Sequence, residues 1–85
     1  MKQNGIYREI ERERARQDAE WGGPEHDDKH DASNWSEFVA KHLARAMSEP
    51  VDNVGPIFRQ QMVRVAALAV AAIEWYDRWE ARGTR

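Results

Sequence analysis

From Pro56 to Arg82 the chain runs without another proline or any glycine, and alanine fills much of the middle. Such a stretch strongly prefers the α-helix. Pro56 suits a first-turn position and Gly83 a C-cap, so the spacing predicts one helix over 56–82, about 40 Å long. In a chain of 85 residues everything else must pack around it. Phe58, Met62, Val65, Ala69, Ala72, Tyr76 and Trp79 recur alternately by four and three, a heptad-like seam, and Leu68, Ala71 and Trp75 form a second stripe beside it. The middle of this helix is therefore apolar nearly all round and requires neighbours on more than one side. The rest of the chain is short for that task. A homo-oligomer assembled through the C-terminal helix is expected, with the alanines allowing close helix approach.

Two further helices are expected. Residues 6–20 are rich in Glu, Arg, Gln and Ala and lack breakers. Their apolar stripe is thin, Ile6, Ile10, Gln17 and Trp21 by four, seven and four, so the helix should dock by its two ends, the isoleucines and the tryptophan. Opposite charges three apart (Arg8 with Glu11, Glu9 with Arg12, Glu11 with Arg14, Glu13 with Arg16) suit a wet surface. Arg8, Arg12 and Arg16 share one face, which reads as a solvated face or as a phosphate-contacting stripe. Gly22-Gly23-Pro24 ends this helix and opens a polar loop over 22–34. A helix over 35–48 follows, with Asn34 as N-cap and Glu37 completing a capping box. Its core face is Trp35, Phe38, Val39, His42, Leu43, Ala46 and Met47. Pro50 stops it, and the segment 50–56, with Asp52-Asn53 and Gly55-Pro56, reverses the chain. The fold expected is all-α: a single-domain, three-helix antiparallel bundle.

Composition narrows the function classes. The absence of cysteine excludes a disulfide scaffold and cysteine-ligated zinc. The longest apolar run, residues 65–73, is far short of the roughly 20 residues that span a bilayer. Met1-Lys2-Gln3-Asn4-Gly5 leads into charge and lacks the apolar centre of a signal peptide, so a cytoplasmic address is expected. Formal charge is only −2 although 33% of residues are charged, and no helix carries a one-sided basic face without interspersed acids. Nucleic acid is thus a poor partner, and any anion site must be local.

Two constellations carry chemistry. Residues 25–31 place His26, His30 and four carboxylates together. His26-x-x-x-His30 with Asp27 between has the histidine spacing of zinc hydrolases, with Asp for the usual Glu and His42 available as a third imidazole. Asp27, Asp28, His26 and His30 also suit Mg²⁺ or Mn²⁺. Structurally, the same groups satisfy backbone N–H, indole N–H and arginines in a loop before a helix. The second constellation is basic: Lys41, His42 and Arg45 on the second helix, Arg59 and Arg64 on the third. Arg64, between Val63 and Val65, needs an anionic partner, either an internal acid such as Asp27, Asp28 or Glu37 or a bound phosphate.

The run Glu11-Arg12-x-Arg14-x-Arg16-Gln17, the loop Trp21-x-x-Pro24-Glu25-His26-Asp27-Asp28-x-His30, and the close Ala66-Ala67-Leu68, Ile73-Glu74, Asp77-Arg78 resemble small α-helical proteins of bacteriophages and prophages across most of the chain. More distantly, the two helices after the loop resemble the MazG-type all-α nucleoside triphosphate pyrophosphohydrolases. Those enzymes hold Mg²⁺ with E-E-x-x-E and E-x-x-D, where this chain has Lys41-His42-x-x-Arg45 and Gln61-x-x-Arg64. The resemblance therefore implies a helical pocket of nucleotide size with cationic walls and without the metal motif. Together these readings favour a non-catalytic binder of an anionic small molecule, a nucleotide or nucleotide-derived immune signal, with an anti-defence role. Arg64, Arg45 and Lys41 would grip phosphates, His42 and His30 donate hydrogen bonds, and Trp35 or Tyr76 stack on a base. The alternatives are a metal-dependent pyrophosphohydrolase or phosphoesterase built on the 26–30 loop, and an inhibitor that docks on a host protein through Trp75 and Trp79.

Overall fold

A computed structural model of the chain describes residues 2–48 and 54–83. Among them lie four helices and no strand: α1 (Lys2–Trp21), α2 (Gly23–Asp27), α3 (Ala32–Ala46) and α4 (Pro56–Ala81). The all-α fold and the long closing helix are as the sequence implies. Pro50, Asp52 and Asn53 of the expected reversal lie outside the described residues.

The expected loop 22–34 is shorter than predicted. Gly22, at φ 103°, ends α1 in the left-handed region, and Pro24 sits in the first turn of α2, where its missing N–H costs nothing. α3 also begins earlier than Asn34. Its N-cap is Asp31, whose carboxylate accepts the Asn34 N–H at 3.0 Å while Asn34 Oδ1 accepts the Asp31 N–H at 2.9 Å. This is the expected capping box moved three residues upstream, and a carboxylate at a helix N-terminus outcompetes an amide there because it also opposes the helix dipole.

α3 and α1 each pack on α4, and their own backbones stay apart. The Trp35 ring lies 6.5 Å from that of Trp75, and His42 bonds Gln61, so α3 runs antiparallel to α4. Glu9 bonds Arg59 and Arg14 bonds Glu74, so α1 runs parallel to α4. α2 touches α1 and α4 and closes one end of the gap between α1 and α3.

The core is small: Trp35, Leu68 and Ala71, with Phe38, Val39, Ala72 and Trp75 packed against them. Of the two stripes on α4, this chain buries Leu68 and Ala71 of the second, while Phe58, Ala69 and Tyr76 of the first stay exposed. Leu43 and Met47, expected in the α3 core face, are exposed too. α1 docks through its middle as well as its ends, where Ile6 and Ile10 meet Met62, Val63 and Ala66 and Trp21 reaches the cavity over Leu68. Gln17 is buried and Arg14 half-buried, bonded to Asp18 and Glu74, whereas Ile6 and Trp21 are 44% and 41% exposed. Of the four charge pairs expected along α1, Glu13 with Arg16 is present among the described residues; Glu9 instead crosses to Arg59. No helix among the described residues is long and apolar enough to cross a membrane.

Candidate functional site

The gap between α1 and α3 is a cleft of about 270 Å³, floored by Leu68 of α4 and lined by Trp21, His26, His30, Phe38, Lys41 and His42. Every imidazole of the chain therefore faces one cavity. Each reaches it for a local reason. Phe38, Lys41 and His42 follow one another by three and one on α3 and so share a helix face. Trp21 is the last residue of α1, before Gly22 turns the chain. His26 sits on α2, and His30 just before the α3 cap.

The rings brace one another. His26 and His30 meet edge to face at 4.8 Å, and His30 meets Trp35 at 5.4 Å and Phe38 at 5.1 Å in the same manner. Such edge-to-face contacts fix ring planes without consuming the ring nitrogens. His42 is held differently: Nδ1 lies 2.6 Å from Oε1 of the buried Gln61. An amide oxygen can only accept, so Nδ1 carries the proton, and in the neutral ring Nε2 keeps its lone pair. His42 thus satisfies both readings of a histidine on an apolar face: it is anchored in the core and it lines the cavity. Lys41 is exposed at the mouth and forms no ion pair among the described residues.

Of the residues expected to bind ligand, Lys41, His42 and His30 come together here, and the others do not join them. Trp35 is 5% exposed and lies beneath the cleft in the core. Arg45 is exposed on α3 outside the lining, and Tyr76 is exposed on α4 with its ring 5.9 Å from that of Trp79. Arg64 faces α1 in a separate, open groove shared with Arg12, Arg16 and Arg59. It pairs with none of Asp27, Asp28 or Glu37. Its charge contributes to holding Glu13 below the usual carboxylate range, where the hydrogen bond from Arg16 is the main cause. Trp21 and Phe38 were not expected as cavity walls, although the spacing of Phe38 from Lys41 and His42 carries the signal.

The acids of the 26–30 stretch go elsewhere. Asp28 accepts from Arg78 at 2.8 Å and 3.0 Å and from Arg82 at 3.2 Å, which ties α2 to the end of α4. Asp27 is buried beside Arg14, Gln17, Asp18 and Trp35. Burial, followed by the negative charge of Asp18, raises its carboxyl above the ordinary value. No three His, Asp or Glu side chains converge as metal ligands among the described residues. His26 and His30 thus share the cleft, while Asp27 and Asp28 serve the packing of α1, α2 and α4. Compared with known protein families, curated proteins and solved structures, the chain matches none.

Proposed function

We propose that this protein binds a small anionic molecule with a planar ring, of mononucleotide size, in the cleft between α1 and α3, and performs no chemistry on it. One observation carries the reading: three imidazoles and a lysine with no ion pair among the described residues converge on a cavity with two aromatic walls. Lys41 meets the anionic group at the mouth, Phe38 and Trp21 flank the ring, and His42, oriented by Gln61, accepts a hydrogen bond at Nε2 from an N–H or O–H of the ligand. The cavity, about 270 Å³, is just below the ~300 to 1,000 Å³ range of ligand pockets, and so favours one nucleotide over two. The MazG-type resemblance supports a nucleotide as the ligand class, and the resemblance to phage helical proteins gives the context for a host signal and an anti-defence role.

Calorimetry against mono-, di- and cyclic nucleotides tests this. A nucleoside monophosphate or cyclic mononucleotide is expected to give heat. Lys41→Ala and Phe38→Ala should each weaken binding roughly tenfold, the ~1.4 kcal/mol that one charge-assisted hydrogen bond or one stacking contact provides. Arg64→Ala should leave affinity unchanged, since Arg64 lines the other groove. Absence of heat across the panel removes the proposal.

A further inference from the structure

α4 has a face that the helices among the described residues leave largely open, α1 reaching only its edge, where Ile6 and Ile10 share a groove with Met62 and Ala66. Opposite Leu68, which floors the cleft, Phe58, Met62, Ala66, Ala69, Ile73 and Tyr76 follow by four, four, three, four and three, and share one side of the helix. Met62 and Ala66 are half-buried; the other four are exposed, Ile73 at 61%.

The face is its own complement. Reversed about the midpoint between Ala67 and Leu68, Met62 falls on Ile73 and Ala66 on Ala69. On one flank of the stripe Phe58 and Tyr76 stand at equal distances from that midpoint to within one residue, a rise of about 1.5 Å. Arg59 and Asp77, both exposed, do the same on the other flank. We infer that a second copy of this chain packs on the face antiparallel, α4 against α4, about a two-fold axis at that midpoint.

A two-fold perpendicular to both helices brings each flank against the same flank of the other copy. Phe58 then meets the partner's Tyr76, Arg59 the partner's Asp77, and Met62 the partner's Ile73, each twice. Ala66 and the partner's Ala69 at the centre let the axes approach to about 8 Å. Arg59, already bonded to Glu9, has donors for both acids. A parallel pairing would leave Arg59 and Asp77 each without an opposite charge at its level, and this selects the antiparallel arrangement.

Sedimentation equilibrium and cysteine cross-linking test it together. The full chain should sediment as a dimer, and Ile73→Glu, a change at an exposed position, should weaken dimerisation roughly 100-fold with unchanged helical circular dichroism. Asp77→Arg should weaken it by a smaller factor, and Arg59→Asp combined with Asp77→Arg should restore it. The chain has no cysteine. On oxidation, a mixture of Ala66→Cys and Ala69→Cys chains should therefore cross-link to each other in preference to themselves. Three results would overturn the inference: a monomer well above the ~1 µM at which standard interfaces associate, a dimer indifferent to Ile73→Glu, or preferential self-cross-linking of Ala69→Cys.

Discussion

Asp27 and Asp28 are neighbours whose side chains enter opposite environments, one buried near another carboxylate and one held by two arginines. The hydrogen bond from Arg78, then that from Arg82, holds Asp28 below the ordinary carboxylate value. Its stabilising contribution is therefore complete above an ordinary pKa of about 3.9 and is lost as pH falls through the lowered folded value. Asp28→Asn should cost about 0.5–1 kcal/mol at pH 7, a fall of several degrees in Tm, and the difference from wild type should close as pH falls through that lowered value. Asp27 has the reverse sign. Its carboxyl is raised, so the ionised form opposes folding at neutral pH, and that opposition fades as pH drops through the raised value. Asp27→Asn should raise Tm at pH 7 and leave it unchanged near pH 3. Thermal melts of both variants across pH measure the two signs in one experiment.

The elements place the cleft residues through their ends. Gly22 has φ 103°, and a Cβ there would lie 3.3 Å from the Cβ of His26. Gly22→Ala should cost about 1–2 kcal/mol and shift a cavity wall, so Tm and ligand affinity should fall together. Gly83 also has positive φ, but a Cβ there meets nothing within 4 Å, so Gly83→Ala should lower Tm and spare affinity. Asp31→Ala removes the α3 cap at a cost of ~1 kcal/mol, read as a lower Tm. Such local devices explain what could be read ahead of the fold. The bounds of α4 follow from Pro56 and Gly83, and the shared face of Phe38, Lys41 and His42 from helical period alone. α2 escaped because five residues that open on Gly23 and Pro24 show no period, and the α3 cap slipped because Asp31 and Asn34 both offer capping side chains. The parting of Arg64 from Lys41 was not legible. It depends on which side of α4 receives α1, and there the stripe on α1 marks the buried Gln17 but not Arg14, a charged residue that a hydrophobic pattern leaves out.

At the scale of the molecule, α4 separates two surfaces with different tasks. One side carries Leu68 at the floor of the cleft; Ile73, about 140° further round the axis at 3.6 residues per turn, belongs to the uncovered face. Three of the five buried apolar residues are alanines, so the core within one chain contributes little burial and a second copy would add much of the missing apolar contact. If the two-fold pairing holds, stability depends on concentration, and Tm should rise with protein concentration by mass action. Ile73→Glu should abolish that dependence. Because the cleft is built from α1, α2, α3 and the far side of α4, the same variant should still bind a nucleoside monophosphate with wild-type affinity. A saturating nucleotide at about 100 times Kd should then stabilise the variant by the same ~2.7 kcal/mol as the parent, read as an equal shift in Tm at matched dilution. Loss of nucleotide binding in Ile73→Glu would instead mean that the cleft takes its shape from the dimer, and the two surfaces of α4 would have to be treated as one coupled site.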